Sequence, residues 1–92
     1  MRKMKFILFT PHRKLPEVEC DSVKLNIADS VDGSFSGAYG IRKGHAKAVF
    51  TLKEGRICVL NNNQEVFTAD CGEGFATVDG DEVRVTVDSA EI

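Results

Sequence analysis

Two histidines and three cysteines are the side chains here with nucleophilic or metal-binding chemistry: His12, His45, Cys20, Cys58 and Cys71. A zinc site needs imidazole or thiolate donors at short, regular spacing, and the chain has no Cys-x-x-Cys or His-x-x-x-His pair. No metal is expected. The cysteines are odd in number and irregularly spaced, so the expectation is buried free thiols in a reducing compartment. Cys58 and Cys71 flank apolar strand residues, which suits small core side chains. A Cys–His nucleophilic pair using His12 or His45 has no local support. Asp29, Asp32, Asp70, Asp79 and Asp81 lack the order and terminal glutamate of a calcium loop and read as turn residues. The most informative stretch is Gly40-Ile41-Arg42-Lys43-Gly44-His45-Ala46. Its two glycines bracket a short basic turn. No Gly-Lys-Ser/Thr occurs, so it is not a phosphate cradle, and on physics alone it is a charged loop between strands.

The chain that must position these groups has 92 residues, the size of a single domain over 1–92. With 42% hydrophobic and 28% charged residues, its composition is that of an ordinary soluble globular domain. A net charge of −2 argues against a nucleic-acid binder. The longest apolar run, Phe6-Ile7-Leu8-Phe9, is far below the ~20 residues that span a bilayer. The basic start Met1-Arg2-Lys3-Met4-Lys5 lacks the apolar stretch and cleavage site of a signal peptide, so a cytoplasmic location is expected.

Period-two alternation dominates. Strands are expected over Lys3 to Thr10, Glu17 to Cys20, Ser22 to Ala28, Lys47 to Leu52, Arg56 to Leu60, Gln64 to Ala69, Phe75 to Val78 and Glu82 to Val87. The first has apolar residues on both faces: Phe6 and Leu8 on one, Ile7 and Phe9 on the other. Asn61-Asn62-Asn63 and Asp79-Gly80-Asp81 are hairpin turns. Asp29 to Gly44 reads as an irregular stretch with short strand pieces anchored by Phe35, Tyr39 and Ile41. Asp88-Ser89-Ala90-Glu91 has the order of a capping box and reads as the opening of a helix. Turn signals every eight to twelve residues between short strands indicate an all-β fold, an antiparallel sandwich or barrel.

Four pieces taken in series resemble the epsilon subunit of F-type ATP synthases, called delta in mitochondria. They are Gly40 to Ala46, Leu52-Lys53-Glu54-Gly55-Arg56-Ile57, Gly74-Phe75, and Glu82 to Glu91. The family pattern runs Gly-Ile-x-Pro-Gly-His-Ala-Pro, Leu-x-x-Gly-x-Ile, Gly-Gly-Phe and Val-x-Val-x-x-Asp-x-Ala-Glu. The resemblance implies an antiparallel two-sheet β-sandwich of about ten short strands. It implies a non-catalytic rotor subunit that packs on the gamma subunit and the c-ring and couples ion flow to ATP synthesis. No cofactor or nucleic acid is expected, and the membrane is met only through the complex, at the cytoplasmic face of the cell membrane. One sheet is expected to lie against gamma, leaving some Phe, Ile or Val exposed on the isolated domain.

The partner-contacting residues implied are Tyr39, Gly40, Ile41, Arg42, Lys43, Gly44 and His45. Lys43 and Lys47 replace the motif's prolines, Ala38 stands where the family often has an acid, and Glu73 replaces the first glycine of Gly-Gly-Phe. These departures suit a divergent, for example sodium-translocating, variant. The helical hairpin that follows this domain in the family is absent from the sequence, so autoinhibition by it does not carry over. The rival reading is a stand-alone small β-barrel that binds nucleic acid or a small ligand. It would need aromatics interleaved with basic residues on one face. A hydrolase using His45 and a cysteine is a distant third.

Overall fold

The computed structural model describes residues 4–15, 17–29, 37–42 and 47–92. All regular structure among them is strand: β1 (Met4–Thr10), β2 (Arg13–Lys14), β3 (Val18–Cys20), β4 (Ser22–Asp29), β5 (Gly37–Arg42), β6 (Ala48–Leu52), β7 (Gly55–Asn61), β8 (Gln64–Cys71), β9 (Gly74–Asp79), β10 (Glu82–Val87) and β11 (Ala90–Glu91). The strands form one continuous curled sheet in the order β11-β8-β7-β4-β6-β9-β10-β1-β2, with β3 added on β1 and β5 on β4. This is the expected all-β sandwich.

The sheet folds into two layers at β4. One edge of β4 carries β5 from end to end, Ser22 opposite Arg42 through Ile27 opposite Gly37. Its other edge is divided. Ser22 to Lys24 pair with Leu60 to Cys58 of β7, whereas Ile27 and Asp29 pair with Leu52 and Thr51 of β6 across a register shift. Such an irregularity bends a strand and lets it leave one layer for the other.

Alternation decides what lies between the layers. Val23, Leu25 and Ile27 of β4 point inward with Ile57 and Val59 of β7, Ala69 and Cys71 of β8, Ala76 and Val78 of β9, and Val83, Val85 and Val87 of β10. Met4, Phe6 and Leu8 complete the core from β1, and the Phe6 and Phe67 rings meet across it at 5.7 Å. No polar side chain is buried among the described residues. Among the described strands all ladders are antiparallel but one: β1 runs parallel to β10, Lys5 opposite Glu82 through Phe9 opposite Thr86.

The turns follow local chemistry. Asn62 and Asn63 both take positive φ, 55° and 63°, the requirement of a type I′ two-residue hairpin loop. Gly80 at φ 63° begins the two-residue loop from β9 to β10. Two expectations are corrected. Within the stretch read as irregular, residues 37–42 form a continuous strand, because pairing with β4 and complete burial of Ile41 outweigh the glycine-rich composition. Asp88 to Glu91 open no helix. The Asp88 N–H donates to the Glu73 carbonyl at 3.0 Å, and the Gly72 N–H donates to the Ser89 carbonyl at 2.9 Å. Ala90 and Glu91 then pair with Cys71 and Asp70. Those backbone groups are committed to the sheet, which a helix would forbid.

A candidate partner-binding face

Strands β6, β9, β10 and β1 present their second face to solvent. Register places Val49 beside Thr77, and Phe75 between Thr51 on one side and Thr86 on the other. Thr86 in turn lies beside Phe9. Val49 is 60% and Phe75 48% exposed. Ile7, two residues from Phe9 on the same strand face and opposite Arg84, is buried although it faces away from the main core. The result is an apolar and threonine surface crossing four strands. One end of it is charged and mutually neutralised, with Lys47 and Asp79 at 3.7 Å and Lys5 and Glu17 at 3.9 Å, and Arg84, which stands in the row between Thr77 and Ile7, is paired with Glu82 at 3.0 Å. Lys14 lies over the Phe9 ring, 5.9 Å from its centroid.

The outer face of the other layer is different. Lys24 of β4 pairs in register with Cys58 of β7, which lies opposite Thr68 of β8. The next row carries the Arg56–Asp70 ion pair at 3.1 Å. The one strongly exposed apolar side chain on those strands is Val66, the unpaired residue at the β7–β8 register shift. Cys58 therefore does not join the core as expected. It is out of phase with Ile57 and Val59, both buried, and is half-buried on the outer surface.

Nothing among the described residues assembles catalytic chemistry. His12 sits on an exposed turn in a shallow hollow with Thr10, Arg13, Asp88, Ser89 and Ala90, and no thiol lines it. Burial pushes the Cys71 thiol up to about 11, helped by the negative charge of Asp70. Its Sγ–H donates to the Ala69 carbonyl at 3.9 Å. A thiol held protonated is the reverse of an activated nucleophile. An open hollow edged by Glu54, Asp70 and Glu91 contains no grouping of three metal-ligating side chains.

Of the residues the resemblance singles out, Tyr39, Gly40, Ile41 and Arg42 fall on β5. Ile41 is fully buried opposite Val23, whereas Gly40 is exposed opposite Lys24. Lys43, Gly44 and His45 lie outside the described residues. Val49 belongs to no motif, and Phe75 enters the resemblance only as the end of the Gly-Gly-Phe piece, with no contact role attached to it. Their signal is an apolar residue standing between inward-facing ones, in Ala48-Val49-Phe50 and Gly74-Phe75-Ala76.

The layered fold is that of a β-sandwich, with an exposed apolar outer face. The profile of the family described as ATP synthase, Delta/Epsilon chain, beta-sandwich domain matches residues 3–92, and the chain belongs to that family. Among solved structures it is similar to a chain of the Euglena gracilis mitochondrial ATP synthase OSCP/F1/c-ring assembly in rotational state 1. That match has a TM-score of 0.80 at 17% identity and covers 99% of this chain and 54% of the other. It is also similar to a chain of the Tetrahymena thermophila mitochondrial ATP synthase central stalk/c-ring, with a TM-score of 0.71 at 13% identity, covering 98% of this chain and 66% of the other. No curated protein matches the sequence significantly. This chain thus spans between about half and two thirds of the length of these structural relatives.

Proposed function

We propose that this chain is a non-catalytic central-stalk subunit of a rotary F-type ATP synthase. It packs on the gamma subunit and the c-ring and helps to carry ion-driven rotation to the catalytic head, with a proton or a sodium ion as the driving ion. On this reading it sits at the cytoplasmic face of the cell membrane as a peripheral part of the complex. No helix among the described residues is long and apolar enough to cross a membrane.

The observation that carries the reading is the Val49–Phe75 face in a member of this family. An exposed apolar surface with paired charges at its end has the composition of a protein interface, apolar at its centre and polar at its margin. Lys47, Lys5 and Arg84 on and beside this face already have carboxylate partners, which favours packing over charge as the source of the contact.

The test is binding to the gamma subunit encoded in the same genome. Phe75→Asp and Val49→Asp place a charge at the centre of the face, and each is expected to weaken binding about tenfold or more. Val49→Asp should melt near wild type because Val49 is mostly exposed, whereas Phe75 is half covered, so Phe75→Asp is compared at a temperature where circular dichroism shows it folded. Absence of any gamma binding would sink the rotor reading. Equal binding by wild type and both variants would move the interface elsewhere.

A further inference from the structure

We infer that the free edge of β5 is a strand-pairing site, which receives an extended segment of the gamma partner carrying an acidic side chain aimed at Lys24. The inference rests on the rotor reading and deepens it.

A sheet edge exposes a row of unpaired main-chain donors and acceptors, and folded proteins blunt such edges with short strands, bulges, charges or covering segments. The other edges of this sheet are treated in those ways. β2 and β3 have two and three residues. β8 is covered at Asp70 and Cys71 by β11 and broken by the register shift at Val66. β6 overhangs the end of β4 only from Ala48 to Phe50, behind an ion-paired Lys47.

β5 has none of these devices. It is six residues long and keeps unbroken register with β4, and among the described residues it pairs with β4 alone. It contains no proline, and no charge precedes Arg42.

Two neighbouring positions define the chemistry of the occupant. Gly40 is exposed, and a Cβ built there would meet no atom within 4 Å. Beside it in register stands Lys24, exposed and without an ion pair among the described residues. A side chain on an added strand directly opposite Gly40 meets no side chain there, and one of glutamate length crosses that bare position to the Lys24 ammonium. Main-chain pairing supplies the affinity, and the acid fixes the register.

The experiment is hydrogen exchange on this 92-residue chain, free and with the same gamma subunit, alongside variants. The β5 amides that point away from β4 are expected to exchange at least about tenfold more slowly in the complex. Lys24→Glu and Gly40→Val should each weaken gamma binding about tenfold, Lys24→Arg should bind more tightly than Lys24→Glu because it keeps the charge, and Val66→Lys should leave binding unchanged. Valine favours strand geometry and the position is open, so Gly40→Val tests the contact rather than the fold. Gamma binding with unchanged outward β5 amides, or with full affinity in Lys24→Glu, overturns the inference and leaves the rotor reading standing. Protection of those amides in a dimer of the free chain also overturns it, since a second copy would then be the occupant. If gamma does not bind, the rotor reading fails, and the inference fails with it.

Discussion

Cys58 and Cys71 occupy neighbouring strands with opposite surroundings. Cys71 is 4% exposed, while Cys58 lies half-buried on the outer face, so accessibility alone separates them. Brief alkylation of the native protein should label Cys58 and spare Cys20 and Cys71 until unfolding, which intact-mass and peptide analysis would read directly. Cys71 also makes a pH prediction. Its thiol is raised from 9.0 to about 11 in the folded chain, first by burial and then by Asp70. Across that interval the unfolded chain loses the proton while the folded chain keeps it. Stability should therefore fall as pH rises past 9.0 and level off beyond about 11. Denaturant melts of Cys71→Ala should lack this contribution to the alkaline slope.

At the scale of strands and turns, Gly74 is where the fold leaves least room. A Cβ there would run into the Thr86 carbonyl and the Val87 Cα of β10, both backbone atoms that cannot step aside. Gly74→Ala should cost about 1–3 kcal/mol, measurable by denaturant melts, by forcing the β9–β10 ladder apart. This also accounts for the departure at Glu73, an exposed bend position where a side chain is accommodated. Much at this scale was legible in the sequence. Asn62-Asn63 and Gly80 named their hairpins because so few residues accept positive φ. β5 was not legible, because its strand state comes from pairing with β4 and from the core that buries its Ile41, neither of which is local. The capping-box order at Asp88 misled for the same reason: its backbone bonds to Glu73, distant enough in sequence to escape a local pattern. Cys58 was misplaced by reading apolar neighbours as a guide to its side, when alternation sends it the other way. For the candidate face, the apolar residues on both sides of β1 were a visible sign, but joining Phe9 to Phe75 and Val49 required the strand order.

For the whole molecule, the two layers hold one another through a core in which no polar side chain is buried among the described residues. Phe6 is among its largest members, 1% exposed and in ring contact with Phe67 of the facing layer. Phe6→Ala should cost about 3–5 kcal/mol, a large share of the roughly 5–14 kcal/mol expected for a chain of this size, and should show as a marked fall in melting temperature. The extents of 33 × 30 × 20 Å describe a flattened body with two broad outer faces, one polar and one apolar. The parallel neighbours β1 and β10 have a mechanical consequence. A pull that draws the start of β1 away from the end of β10 acts along the strands, so the bonds from Lys5–Glu82 to Phe9–Thr86 resist in concert. Such a seam yields in shear, all at once, where a hairpin tugged at its open end would unzip bond by bond. A small body joined in this way keeps its shape under tension until the whole seam fails.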